Sequence, residues 1–287
     1  MVLEGIIPPL VTPFDESEEP DERVHRAEVR YLIEEVGVNG LAVGGSTGEG
    51  HTLTTGELRR LTAWTVDEAR GRVPVIAGII TNSTRSAIER AKAVEDLGVA
   101  AVQVTPVHYL FAPDEDASLR HFAAIAEATA IPVVIYNVVP WSYQPPQRLA
   151  RILREVPGVI GVKQSASDLK TLADLLLVAP EPARIFSAVD ALLYPSFALG
   201  AHGSIAAILT AVPEWCVALW NAVRAGDHAR ALEWHKKLLR LWNAIDGANL
   251  PANVKTAMEL QGRSGGRPRA PMPPTSAGQR ERIRAAL

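Results

Sequence analysis

The sequence predicts a single (β/α)₈ barrel carrying a helical extension at its C-terminal end, and three observations predict it. Short runs rich in Val and Ile alternate with amphipathic stretches, the pattern of βαβ units around a parallel sheet, over about 225 residues. Glycine recurs where a helix gives way to a strand, at Gly37, Gly98, Gly158 and Gly200, supplying the left-handed residue just past a helix end. After Gly226 the strand runs stop. This regular beat argues for one repeated architecture over two unrelated domains. A doubly wound open sheet is the competing arrangement.

Eight strands are expected: Gly5–Leu10, Gly40–Val43, Val73–Ala77, Ala100–Val104, Ile131–Tyr136, Val159–Lys163, Arg184–Ser187 and Gly203–Ala206. The clearest helix follows Ser83, a good N-cap, with Ala87, Ile88, Ala91, Val94 and Leu97 on one face. In the tail, Asp227–Ile245 and Pro251–Leu260 read as helices, the first with Trp234, Leu238, Leu241 and Ile245 as its apolar stripe. Gly262–Thr275, rich in Gly, Pro and Arg, reads as an extended loop, and Ser276–Leu287 as a last short helix. The expected organisation is a catalytic barrel over residues 1–225 and a C-terminal helical domain over 226–287, packed on the barrel or against another subunit.

Composition excludes more than it identifies. The chain has 287 residues, 47% hydrophobic and 21% charged, ordinary for a globular protein. A net charge of −3 leaves no electrostatic footprint for nucleic acid or an anionic membrane. Cys216 is the single cysteine, so neither an intramolecular disulfide nor a multi-thiolate zinc site is open to the chain. The opening Met-Val-Leu-Glu-Gly has no basic start or long apolar stretch, and no run of about 18 apolar residues follows. A cytoplasmic location is the expectation.

In a parallel α/β barrel the reactive groups sit at the C-terminal ends of the strands and in the loops that follow. Of 29 basic residues only six are lysines, so a lysine in an unusual setting stands out. Lys163 ends a strand run, whereas the other five lie in helical or charged contexts. Desolvation there disfavours the ammonium and makes the amine a nucleophile toward carbonyl carbon. The competing reading is a partly exposed lysine, ion-paired at the rim. Tyr136 ends the preceding strand run, and its hydroxyl would emerge beside Lys163, where a phenol can move protons. It could equally fill the barrel.

The loop Gly44-Gly45-Ser46-Thr47-Gly48-Glu49-Gly50 follows the second strand. It matches neither a P-loop nor a dinucleotide fingerprint. Its exposed N–H groups and two hydroxyls suit a small carboxylate, against the plain reading of a Gly-rich turn. Histidines at 25, 51, 108, 121, 202, 228 and 235 form no helical metal-binding pair, and no G-x-S-x-G elbow is present. No metal is expected.

Taken together these segments resemble the dihydrodipicolinate synthase and N-acetylneuraminate lyase family of class I aldolases. The resemblance is carried by the segment from Gly5 to Phe14, Gly45-Ser46-Thr47-Gly48-Glu49, Thr105-Pro106, Tyr136-Asn137-Val138 and Gly161-Val162-Lys163. Ala198-Leu199-Gly200 followed by Gly203-Ser204-Ile205 fits as well, as do Val254-Lys255 and Gly265-Gly266 in the tail. It implies a (β/α)₈ barrel with a C-terminal helical domain, assembled as a homotetramer. It implies that Lys163 forms a Schiff base with pyruvate or a related 2-oxo acid and that Tyr136 transfers protons. Ser46 and Thr47, with Gly45, would hold the carboxylate, Ser46 also joining the relay. Ile205 would lend its backbone near the keto acid. An iminium is itself an electron sink, so no cofactor is implied.

Three departures bear on the second substrate. The synthases typically follow their Tyr-Asn-Val with Pro-x-Arg-Thr, whose arginine grips a carboxylate; here the segment runs Val139-Pro140-Trp141-Ser142-Tyr143. Trp141 cannot replace a bidentate guanidinium at that substrate position. The tyrosine expected to reach a neighbouring subunit's site aligns with His108, with Tyr109 as the alternative. Ser46 replaces the synthases' common threonine, as in the lyase branch. The expected activity is therefore a metal-independent, Schiff-base-forming lyase acting on pyruvate or a 2-oxo acid. An authentic 4-hydroxy-tetrahydrodipicolinate synthase, a 2-oxo acid dehydratase or hydratase-aldolase, and a non-catalytic small-acid-binding barrel are the alternatives.

Overall fold

The computed structural model describes residues 2–165 and 168–287. Its eight parallel strands are β1 (Gly5–Ile6), β2 (Leu41–Val43), β3 (Val75–Ile79), β4 (Ala101–Val104), β5 (Val133–Asn137), β6 (Val159–Gln164), β7 (Arg184–Ser187) and β8 (Gly203–Ser204). Each pairs with its sequence neighbour from β2 to β8, and β8 pairs with β1. The segment after β1 then closes the ring. Ile7 donates to Ser204 on one side, whereas Leu10 donates to Ala42, and Ala42 to Pro8, on the other. Pro8 and Pro9 have no N–H to extend the first ladder, so the expected strand over Gly5–Leu10 is regular only at Gly5–Ile6. The barrel, not the open sheet, is what the chain adopts.

Helices alternate with the strands. They are α1 (Glu22–Tyr31), α2 (Thr55–Ala69), α3 (Thr84–Ala93), α4 (Glu115–Ala128), α5 (Pro146–Glu155), α6 (Leu169–Val178), α7 (Leu193–Ala198), α8 (Ile208–Ala211) and α9 (Pro213–Arg224). Ser83 caps α3 through its hydroxyl, and Ala87 and Ala91 are buried from the face expected to face inward. Gly37, Gly98, Gly158 and Gly200 all have positive φ, between 74° and 95°. The glycine beat thus marks helix exits, where a Cβ would be strained.

The tail forms α10 (His228–Ile245), α11 (Leu250–Leu260) and α12 (Ala277–Ala286), capped by Asp227 at α10 and Ser276 at α12. Leu238, Leu241 and Ile245 of α10, Val254 and Met258 of α11 and Ile283 of α12 share one core with Ile208, Leu209, Cys216 and Leu219 of the barrel. Residues 262–275 run as an extended strap back across the barrel: the Arg267 N–H donates to the Phe14 carbonyl (2.9 Å). Among the described residues, no helix is long and apolar enough to cross a membrane.

Candidate active site

Strands β5 and β6 carry the central pair. Ile160 is an extra residue on β6: Val133 pairs with Val159 but Val134 with Gly161, so Tyr136 comes to lie opposite Lys163. Without that bulge Tyr136 would face Val162, and the lysine would be out of step with it. The Lys163 side chain is 3% exposed, and its amine lies 3.8 Å from the centroid of the Tyr136 ring. Among the described residues no carboxylate lies within ion-pair distance of it. The rim-salt-bridge reading of Lys163 is therefore not the arrangement found. The Tyr136 hydroxyl donates to Ser46 Oγ at 2.9 Å, joining phenol, serine and amine in one cluster.

Ser46 and Thr47 stand on a tightly folded loop. Gly48 and Gly50 both donate to the Gly45 carbonyl (3.1 and 3.0 Å), and Thr12 Oγ1 donates to the Gly48 carbonyl (2.6 Å). A Cβ on Gly50 would sit 1.9 Å from the Gly44 carbonyl oxygen, so no larger residue closes this turn. Glu49 adopts a left-handed φ of 54° that a non-glycine residue holds only under tertiary constraint. The constraint comes from the tail. Lys255 Nζ contacts Glu49 Oε1 at 2.6 Å, and the Arg269 N–H donates to Oε2 at 2.8 Å. Lys255 and Glu49 are 3% and 0% exposed, an ion pair sealed from solvent.

Above this cluster opens a cavity of about 460 Å³ lined by Ser46, Thr47, Tyr136, Lys163 and Ile205, with Asp190, His51 and a tail-derived wall. Asp190 Oδ1 accepts the Ile208 N–H at 2.8 Å, which fixes the loop carrying Ile205, Ala206 and Ala207. Burial holds the Asp190 carboxyl up at about 6, although its amide partners and the Lys163 charge pull it down. A second cavity, about 540 Å³, lies among Lys255, Arg263, Arg267 and Arg280. Each of those cations is already paired, with Glu49, Glu28, Glu16 and Glu259 respectively. Among the described residues it offers an anion no unengaged lysine or arginine, whereas the first cavity holds Lys163, which has no ion-pair partner among them.

Of the residues picked from sequence, Lys163, Tyr136, Ser46, Thr47 and Ile205 converge, and Gly45 shapes the loop beneath them. Trp141, expected at the substrate, does not join them within one chain. The helical turn Pro140–Ser142 carries its ring outward, 71% exposed, with the indole N–H donating to the His108 carbonyl at 2.8 Å. His108 is half-buried, with Nδ1 3.1 Å from the Pro106 carbonyl, and Tyr109 is 66% exposed. Neither lines the cavity of its own chain. Sequence reasoning missed Asp190, His51, Trp242 and Met272, which do. Asp190 follows the end of β7, so the strand-end rule that found Lys163 could have found it too.

A model of the dihydrodipicolinate synthetase family matches residues 2–287. A 4-hydroxy-tetrahydrodipicolinate synthase of Methanopyrus kandleri is 36% identical over 99% of this chain and 95% of its own length. Among solved structures, the dihydrodipicolinate synthase of Thermotoga maritima superposes with a TM-score of 0.94 at 29% identity, covering 100% of this chain and 98% of that one. YagE, an E. coli K12 prophage protein of the dihydrodipicolinic acid synthase family solved in complex with pyruvate, gives 0.93 at 25% identity, over 99% and 97% of the two chains.

Proposed function

The chain belongs to the dihydrodipicolinate synthetase family, and on that premise we propose that it is a lyase that condenses or cleaves pyruvate, or a close 2-oxo acid, through a Schiff base on Lys163. One observation carries the reading: a buried lysine amine free of any carboxylate among the described residues, stacked on a tyrosine whose hydroxyl is bonded to a serine. A non-catalytic acid-binding barrel has no need of that amine.

The steps follow from the groups present. The Lys163 amine adds to the keto carbon, and the resulting carbinolamine loses water to give the iminium. Ser46 and Thr47 hold the substrate carboxylate with hydroxyl and loop N–H donors. Tyr136, backed by Ser46, delivers and collects the protons of addition and dehydration, and Ile205 lends its backbone beside the bound acid. The iminium draws electrons from the adjacent carbon, which can lose a proton or break a carbon–carbon bond with no separate cofactor.

Loss of the pyruvate methyl protons to deuterium oxide, followed by NMR, reads enamine formation without any second substrate. The wild type is expected to exchange them. Tyr136→Phe, which keeps the ring over Lys163 but removes the relay, is expected to slow exchange by about 10²–10⁴-fold. No exchange above the buffer rate in the wild type sinks the reading, and an undiminished rate in Tyr136→Phe removes the tyrosine from it.

The activity named for the Methanopyrus kandleri relative supports a second reading, an authentic 4-hydroxy-tetrahydrodipicolinate synthase. Its weakness is the segment from Val139 to Tyr143, which has no arginine to grip a second carboxylate. Condensation of pyruvate with aspartate semialdehyde, set against cleavage of N-acetylneuraminate and 2-keto-3-deoxygluconate, separates the readings; a dominant rate with the semialdehyde selects the synthase. The assembly we propose is a homotetramer in which a neighbour covers the exposed Tyr109, Leu110, Phe111 and Trp141, with His108 or Tyr109 approaching that neighbour's site. Sedimentation velocity distinguishes it from the monomer.

A further inference from the structure

The cavity at Lys163 has two unlike walls. The strand ends supply Ser46, Thr47, Tyr136 and Lys163, whereas the tail supplies Trp242, Leu250, Pro251 and Met272, none of them charged. Among the described residues Lys163 is the only Lys or Arg side chain in the lining and Asp190 the only carboxylate; His51, also in the lining, is exposed.

These groups set a charge balance once the 2-oxo acid is bound. The iminium carries one positive charge and the substrate carboxylate one negative charge, so the pair is neutral. Asp190 then has backbone N–H groups as its near partners, Ile208 at 2.8 Å among them. An acceptor bearing its own carboxylate would bring a further negative charge into a cavity with no cation left to meet it, beside an acid already there. An unpaired carboxylate out of water is strongly disfavoured. A polyol finds hydrogen-bond partners at the strand ends, Ser46, Thr47 and Ser165, but along the tail wall Leu250, Pro251 and Met272 offer its hydroxyls no side-chain partner. An apolar group, by contrast, gains contact area there: an aromatic ring stacks on the indole of Trp242, and the Met272 thioether adapts to irregular shapes.

Building on the Schiff-base reading, we propose that the carbonyl acceptor is an uncharged aldehyde with an aryl or branched-alkyl substituent seated against Trp242, Leu250 and Met272. The enamine carbon of the Lys163 adduct attacks the aldehyde carbon, its π electrons forming the new carbon–carbon bond. The carbonyl π pair moves to the aldehyde oxygen, which takes a proton from the Tyr136–Ser46 relay. Water then hydrolyses the regenerated iminium, releasing a 4-hydroxy-2-oxo acid and the free lysine. No oxidant or reductant is consumed.

The test compares kcat/KM with pyruvate and each of benzaldehyde, D-glyceraldehyde and succinic semialdehyde. Benzaldehyde is expected to exceed both others by at least about tenfold. Met272→Arg, which adds a cation to the apolar wall, is expected to shift the ratio of succinic semialdehyde to benzaldehyde upward by at least about tenfold. Deuterium exchange of pyruvate, measured on the same wild-type sample, separates acceptor choice from Schiff-base formation. Exchange accompanied by a preference for the anionic or polyol aldehyde, by no turnover of benzaldehyde, or by a ratio unmoved in Met272→Arg overturns this proposal alone. Absence of exchange overturns the Schiff-base reading beneath it.

Discussion

Lys163→Arg is expected to lower turnover by at least about 10⁴-fold, the scale of losing a covalent catalytic group. The guanidinium keeps its proton at any working pH, so no lone pair is available to attack the keto carbon. The fold should survive. Arginine is a comparably long side chain, and the cavity of about 460 Å³ directly above the amine gives the larger head group room. A thermal melt by circular dichroism measures the second point and steady-state turnover the first. A variant with activity within tenfold of the wild type would remove Lys163 from the chemistry. A variant that fails to fold leaves Lys163→Ala to be assayed in its place.

Lys255→Met is expected to destabilise the fold strongly for a change outside the hydrophobic core. Its amine meets Glu49 in a pair sealed from water, and Glu49 is 0% exposed. Removing one partner strands a buried carboxylate, which costs about 3–5 kcal/mol. The charge is not the whole effect. Glu49 sits at φ 54° in the loop that presents Ser46 and Thr47, and Lys255 also donates to the Arg267 carbonyl in the strap. The variant should therefore lose activity as well as stability. Urea unfolding followed by fluorescence measures the first loss, and the pyruvate exchange rate the second. The double variant Glu49→Gln, Lys255→Met removes both charges and should recover much of the stability, since replacing both members of a buried pair is far milder than breaking it. A Lys255→Met midpoint indistinguishable from the wild type would show that the pair constrains nothing.

The legible parts of this protein were those governed by local rules. Val and Ile runs ending in reactive side chains marked the strands, and Gly37, Gly98, Gly158 and Gly200 marked the helix exits because only glycine holds that backbone cheaply. Boundaries moved where prolines intervened. Val73–Ala77 became Val75–Ile79 because Pro74 has no N–H and instead accepts a hydrogen bond from Leu41 at its carbonyl. The cluster of Lys163, Tyr136, Ser46 and Thr47 was equally legible, since each stands at a strand end or in the loop after one. The far wall was not. Trp242 lies one position beyond Leu241 of the apolar stripe, and periodicity alone cannot say that its ring faces a cavity rather than the core. Glu49 and Lys255 are 206 residues apart in sequence. Both were visible as motif residues, but nothing local announces that they touch.

In the proposed reaction Lys163 forms the covalent link to the 2-oxo acid. Reduction with borohydride in the presence of pyruvate, followed by proteolysis and peptide mass mapping, tests it most directly. A pyruvate-derived mass gain confined to the peptide containing Lys163, and absent from Lys163→Ala, is expected. A modification on another lysine, or none at all in a protein that still turns over pyruvate, would contradict it.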